Sequence, residues 1–230
     1  MTFQPGQIIA YIEMCALEKA SLQRGMNYKL HGQQSIILMS LRPNAPYADR
    51  VEEKGRILIY EGHNEAKRKG GTDPTKTNQP MYLPSGRPTQ NGKFYHAAKR
   101  YREGEAEPEL VKVYEKLRRG IWVYNGLFRL VDAWRESSDD RNVFKFRLEL
   151  LVDPAEHSRK LDLEHNRMVP SWVKLEVWKR DKAKCVQCGS DENLHFDHII
   201  PYSRGGSSLV PENIQILCAR HNLEKRDRIV

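Results

Sequence analysis

The sequence predicts an α+β fold built from a larger, mostly β N-terminal part and a small C-terminal part stapled by metal. Three observations carry this. Apolar runs of strand length, bounded by turn residues, fill the first two thirds of the chain. Three of the four cysteines fall between Cys185 and Cys218, with metal-knuckle spacing. A charged stretch poor in apolar residues separates the two regions.

Taken in order, Ser35–Leu41 (SIILMSL) and Arg56–Tyr60 (RILIY) read as strands. The stretch KRKGGTDPTKTNQP from Lys67 reads as a basic loop, either facing a polyanion or simply solvated. Pro108–Arg118 (PELVKVYEKLR) has helical spacing, with a proline suited to a first turn. Ile121–Val131 (IWVYNGLFRLV) reads as two strands about an Asn125-Gly126 turn. Val143–Val152 alternates and then runs apolar. The boundaries that follow are residues 1–152, a linker over 153–169 (a short surface helix being the other reading), and a unit over 170–230. Pro170 opens that unit with PSWVKLEVWKRD, where Trp172, Leu175 and Trp178 can share a helix face. About sixty residues is a size at which a structural metal is often needed.

The chain has 230 residues, a formal net charge of +8 and a sequence pI near 9.3, a balance that favours polyphosphate partners. No apolar run approaches membrane-spanning length and no signal peptide stands at the start, so no membrane partner is expected. Cysteines with metal spacing exclude a disulfide scaffold and fit a reducing cytoplasm. Cys15 lies apart in a helix-like apolar stretch and is assigned no role.

The chemistry concentrates in CVQCGSDENLHFDHIIPYSRGGSSLVPENIQILCARHNLEK, from Cys185 to Lys225. Cys185 and Cys188 form one knuckle, and Cys218 and His221 a second of the same spacing. Thiolates and imidazole suit tetrahedral Zn2+. Between the knuckles lie Asp197-His198 and Asn213, and carboxylate and amide oxygens suit a harder ion. A double knuckle alone is more often an inert zinc ribbon than part of an enzyme. Asp197 and His198 are adjacent, and adjacent strand residues face opposite sides, so one site can use both only where the strand twists or ends. Pro201 makes an early end plausible. Arg204, Lys225 and Arg226 either contact phosphate or are plain surface charges.

This ordered series resembles the HNH endonucleases, the ββα-metal nucleases with a zinc knuckle. The carrying residues are C185-x2-C188, DHIIPYSRGGSS from Asp197, ENIQILC from Glu212, and C218-x2-H221-N-x2-K225. The resemblance implies His198 as general base, Asp197 and Asn222 as ligands of a catalytic Mg2+ or Mn2+, and Asn213 as the residue that orients the base region. It implies structural Zn2+ on Cys185, Cys188, Cys218 and His221. The family's last zinc position is usually cysteine. In an alternative register His221 is the catalytic ligand and the zinc lacks one donor.

The N-terminal part resembles the SRA (YDG) domain. The carrying segments are SIILMSLRPNAPYADRVEEKGRILIYEGH, NQPMYLPSG, TQNGKFYHAA, GIWVYNGLFRLVDAW and VFKFRLEL, with Tyr124-Asn125-Gly126 at the signature. The resemblance implies a curved β-sheet or barrel with flanking helices that flips 5-methylcytosine out of double-stranded DNA. Tyr47 and Tyr60 would stack on the base and Asp49 would read its edge, with Glu52 or Glu53 as the fallback carboxylate. Lys67–Lys76 is a candidate for the loop filling the vacated duplex.

Together the two halves resemble bacterial modification-dependent restriction endonucleases of SRA–HNH type, which implies a cytoplasmic enzyme active on 5-methylcytosine. Because a pocket that takes a methyl discriminates weakly against an added hydroxyl, activity on 5-hydroxymethylcytosine is expected too. One such site cuts one strand, so a double-strand break implies a homodimer or two successive nicks. The alternatives are a methylation-blind nicking or repair nuclease, a non-catalytic methyl-DNA reader, and an RNA-directed nuclease.

Overall fold

The computed structural model describes residues 3–42, 45–64, 72–138, 141–151, 168–201, 204–226 and 228–229. Its strands are β1 (Ile8–Ala10), β2 (Met26–Asn27), β3 (Ser35–Met39), β4 (Arg50–Glu52), β5 (Ile57–Glu61), β6 (Glu109–Arg118), β7 (Ile121–Ser138), β8 (Arg141–Leu150), β9 (Leu194–His198) and β10 (Ile214–Cys218). Its α-helices are α1 (Tyr11–Leu17), α2 (Gln90–Arg102), α3 (Ser171–Arg180) and α4 (Ala219–Lys225). The fold is α+β, as the sequence predicts. Most of the expected linker, residues 153–167, lies outside the described residues, as do Lys67 to Gly71 of the basic loop.

β2-β3-β6-β7-β8-β5-β4 form one large sheet in that order, and β1 adds to β7. All pairings are antiparallel except β3 with β6. α2 buries Phe94 and Ala98 on this sheet against Met39, Tyr60, Phe128, Phe144 and Phe146. The Thr89 hydroxyl starts α2 by accepting from the Gly92 N–H at 3.1 Å, and Lys99, Arg100 and Arg102 sit in its last turn, where the helix dipole favours cations.

Two expectations are corrected here. Pro108–Arg118 is a strand, not a helix. β3 lies parallel on one side and β7 antiparallel on the other, so its backbone is satisfied by pairing and burial outweighs the helical spacing. Asn125-Gly126 is not a hairpin turn either. β7 runs on for 18 residues, and the turn falls before it, where Gly120 has φ 77°. Val113 pairs with Gly126 and Tyr114 with Tyr124, leaving Asn125 as the extra residue of a β-bulge. Gly126 there has φ 108°, a conformation a side chain rarely adopts. Beyond the bulge β7 leaves β1 and pairs with β8.

The bulge also forms the joint with the C-terminal elements. Asn125 Nδ2 donates to Glu115 Oε2 at 2.9 Å, and Lys174 Nζ on α3 donates to the same oxygen at 2.5 Å and to Asn125 Oδ1 at 2.8 Å. Ser171 donates to Glu115 Oε1. Glu115 and Lys174 are each only 1% exposed. The face of α3 that packs inward carries Val173, Lys174 and Val177, with Leu175 and Trp178 at its margin. Trp172, expected on that face, is 55% exposed, because burying Lys174 against Glu115 turns the helix away from it. Val173 and Val177 pack with Leu117 and Val123 of the large sheet and with Leu194, Ile214 and Ile216 of the β9–β10 hairpin. The segment leading into β1 adds a backbone link, with the Phe196 N–H donating to the Gly6 carbonyl at 3.2 Å. Among the described residues no helix is long and apolar enough to cross a membrane.

Candidate functional site

β9, β10 and α4 form a hairpin followed by a helix, with the two knuckles at its base. The ligand atoms of Cys185, Cys188, Cys218 and His221 all lie within 4.8 Å of one another. His221 Nδ1 is 3.3 Å from Cys185 Sγ and 3.4 Å from Cys218 Sγ, and Cys188 Sγ is 3.9 Å from Cys218 Sγ. A tetrahedral Zn2+ with Zn–S of about 2.3 Å requires S···S edges of roughly 3.8 Å, close to the 3.9 Å between Cys188 and Cys218, so the donor set suits structural zinc. The structure thus brings His221 to the thiols, the first of the two registers considered.

Asp197 and His198 end β9, and their side chains find different partners. Asp197 lies beside its cross-strand neighbour Gln215, whose Nε2 donates to Oδ2 at 3.2 Å. Lys225 Nζ on α4 reaches the same oxygen at 3.1 Å and donates to the His198 carbonyl at 2.6 Å. Lys225 is 3% exposed, so it is no surface phosphate contact; it pins the strand end, whereas Arg204 and Arg226 are exposed. Asn222 lies three residues before Lys225 on α4, a spacing that puts both on one helix face. His198 is buried, with Nε2 2.8 Å from the Ser208 hydroxyl. Asn213 ties the intervening loop down: Oδ1 accepts from the Ile200 N–H at 2.8 Å, and Nδ2 donates to the carbonyls of Ile200 and Ser207 at 3.0 and 3.1 Å. Ser208 and the role of Lys225 as a pin were not legible in sequence; SRGGSS showed only a loop.

The large sheet carries a cavity of roughly 1400 Å³ whose lining includes Tyr47, Asp49 and His63. Arg24, Arg42, Arg87, Lys93, Lys116 and Arg119 also line it, a cationic wall suited to a polyanion. Asp49 Oδ1 accepts from the Glu61 N–H at 3.0 Å and Oδ2 from the Ser40 N–H at 3.2 Å. Burial pushes the Asp49 carboxyl up to about 7 against the downward pull of those two backbone donors. Glu61 braces the turn from below, accepting from the Ala48 N–H at 3.1 Å and Lys145 Nζ at 2.9 Å, with Arg141 Nη2 at 3.3 Å.

Tyr60 does not line the cavity. It is 1% exposed, packs in the core beneath it, and its hydroxyl lies 2.8 Å from His63 Nε2. The ring that meets Tyr47 is His63, with centroids 4.9 Å apart and planes 11° from parallel. Sequence reading missed His63, which has no local pattern to mark it. Glu52 lies in β4 and Glu53 follows it; neither lines the cavity.

The fold and the Cys3His cluster define a class: a hairpin-and-helix module, with four donors suited to zinc at its base, carried on a large mixed sheet. Residues 185–228 match the HNH endonuclease family model. No curated protein sequence matches the chain significantly. Among solved structures, the chain is similar to the SUVH5 SRA domain in complex with methylated CHH DNA (21% identity, TM-score 0.45, covering 64% of this chain and 88% of that one). It is also similar to the SUVH5 SRA domain bound to fully hydroxymethylated CG DNA (22%, 0.42, 66% and 87%). A third similar structure is the modification-dependent TagI restriction endonuclease (22%, 0.42, 96% and 76%).

Proposed function

We propose that this protein is a modification-dependent DNA endonuclease in which residues 1–152 read a modified cytosine and residues 170–230 hydrolyse a phosphodiester. The observation that carries the nuclease half is the match of residues 185–228 to the HNH model, with Asp197 and His198 at the end of β9, Asn213 anchoring the loop between the strands and Asn222 on α4. His198, its ring held by Ser208, takes a proton from the attacking water. Asn213 keeps the loop that carries Ser208 in place. Asp197 and Asn222 offer oxygen donors for Mg2+ or Mn2+, which when bound stabilises charge on the phosphate and leaving oxygen. Lys225 holds the Asp197 carboxylate beside the end of β9.

The reader half is supported by the cavity, where an aromatic ring and a carboxyl meet under a cationic wall. Tyr47 stacks on a flipped base and Asp49 reads its Watson–Crick edge. Burying one methyl contributes only about 0.8 kcal/mol, a few-fold preference, so selectivity also draws on the cost of flipping and of opening the pocket. An added hydroxyl is rejected only about a hundredfold at most by an apolar site, so 5-hydroxymethylcytosine is also a substrate. Two protomers or two nicks give a double-strand break.

The test is cleavage and binding by the wild type and His198→Ala on duplexes carrying cytosine, 5-methylcytosine or 5-hydroxymethylcytosine. His198→Ala should abolish cutting and leave binding of the modified duplexes intact. Retained cutting would remove His198 from the mechanism. Failure to cut hydroxymethylated DNA would remove that substrate.

A further inference from the structure

We propose that His63 is the aromatic wall facing Tyr47 in the base pocket, with Tyr60 beneath it as a positioning residue. This rests on the reading that the cavity takes a flipped base. His63 is the ring that lies parallel to Tyr47 and lines the same cavity as Asp49, whereas Tyr60 is sealed in the core.

His63 is held from three sides. Its backbone N–H donates to Asn91 Oδ1 at 2.9 Å, and Asn91 Nδ2 donates back to its carbonyl at 2.8 Å. Asn91 is itself buried in the first turn of α2. Tyr60 meets the ring at Nε2. Burial holds the phenol of Tyr60 far above its ordinary pKa, so it keeps its proton, and its hydroxyl lies 2.8 Å from Nε2 and 3.5 Å from the Leu38 carbonyl. Gly25 covers the remaining side. A Cβ there would stand 2.6 Å from His63 Cε1 and Nε2 and 2.8 Å from the Tyr60 hydroxyl, so only glycine leaves the ring its place. Burial, and secondarily Arg24, bring the imidazole down to about 4, so the ring presents a neutral π-face at neutral pH.

Tyr47 is held less firmly. Among the described residues its hydroxyl meets only the Asn64 N–H, at 3.5 Å, and its neighbours Pro46 and Ala48 are exposed. In the free protein Tyr47 and His63 therefore close on each other, each covering the other's face. A base entering between them needs roughly one further layer of about 3.5 Å. Tyr47 moves by that amount while His63 stays, and each ring exchanges its partner for one face of the base. Asp49 then lies at the base's edge, on the turn that Glu61 braces.

The test uses the full zinc-loaded chain in a His198→Ala background, so that DNA is bound and not cut. Equilibrium binding to a duplex with one 5-methylcytosine is compared with binding to its unmodified twin. His63→Leu, which fills the space without a π-face, should weaken modified-duplex binding about tenfold or more and unmodified binding by less than about twofold. His63→Phe should stay within about threefold of the parent on both. Tyr60→Phe should cost a few-fold on the modified duplex alone, since a general packing defect would lower both. If His63→Leu keeps the preference while Tyr47→Ala loses it, the wall is not His63, though the pocket stands. If the parent protein binds the two duplexes equally, the pocket reading falls and this proposal with it. Where melting shows His63→Leu unfolded, His63→Phe decides: preference lost in the folded variant overturns the wall, and preference retained upholds it.

Discussion

At the β9–β10 hairpin, four side chains from two knuckles converge within 4.8 Å, and the functional residues hang from short elements around them. Among the described residues no metal donor set stands near the Tyr47 cavity. Asp49, Glu61 and His63 are held instead by backbone donors and buried ion pairs on a large sheet. The hairpin unit is too small to be fixed by apolar burial alone, so its order is concentrated in one cluster of ligands. The sheet buries enough to spread its order over many contacts. Disruption should therefore be all-or-none in one region and graded in the other.

The largest effect expected is metal loss. Chelation, or Cys218→Ser, should melt the hairpin and abolish cleavage, because structural zinc contributes about 10–16 kcal/mol in small domains. Binding of modified DNA should survive. Far-UV circular dichroism and hydrogen exchange check this, and the comparison breaks if the cavity loses binding together with the hairpin.

Next is the joint between the regions. Lys174→Ala strands Glu115 in the interior with only Asn125 and Ser171 for company. It should cost about 3–5 kcal/mol and separate the melting of the two regions in calorimetry. A single unshifted transition would show that the joint carries no shared stability.

Asn125→Asp is smaller. The amide donates to Glu115 and accepts from Lys174, so an aspartate loses the donor and sets a second carboxylate beside the first. A loss of about 1–3 kcal/mol in urea unfolding is expected. An unchanged midpoint would mean that Lys174 serves both carboxylates.

The last effect is absent at neutral pH and appears only on acidification. His63 titrates near 4 in the fold, below the ordinary histidine value of 6.5, because burial disfavours its charge. The unfolded chain thus binds the extra proton first as pH falls. The stability His63 contributes is present above about 6.5 and is lost as pH drops towards 4. His63→Phe should flatten that part of the melting-temperature profile. A profile parallel to the wild type would mean that His63 is accessible enough to titrate normally.

The hairpin was legible because its chemistry is local. Cys185 with Cys188 and Cys218 with His221 declare themselves by spacing, and the Asp197-His198 pair by its place in an ordered series that resembles the HNH endonucleases. The strands at Ser35, Arg56 and Val143 were legible from their apolar runs. Pro108–Arg118 misled because Leu110, Tyr114 and Leu117 recur at helical intervals, while the partners that make it a strand, β3 and β7, lie elsewhere in the chain. Asn125-Gly126 misled because the dipeptide that makes a tight turn also suits a bulge, and only the long pairing of β7 decides between them. His63 could not be read at all. Its meeting with Tyr47 depends on Asn91, 28 residues away, and on the space at Gly25.

The most direct measurement is the rate of strand cleavage by the zinc-loaded protein with Mg2+ or Mn2+, on a duplex bearing 5-methylcytosine and on its unmodified twin. Cutting of the modified duplex alone is the expected result. Equal cutting of both would leave the hairpin a nuclease and contradict the cavity as a reader of modification.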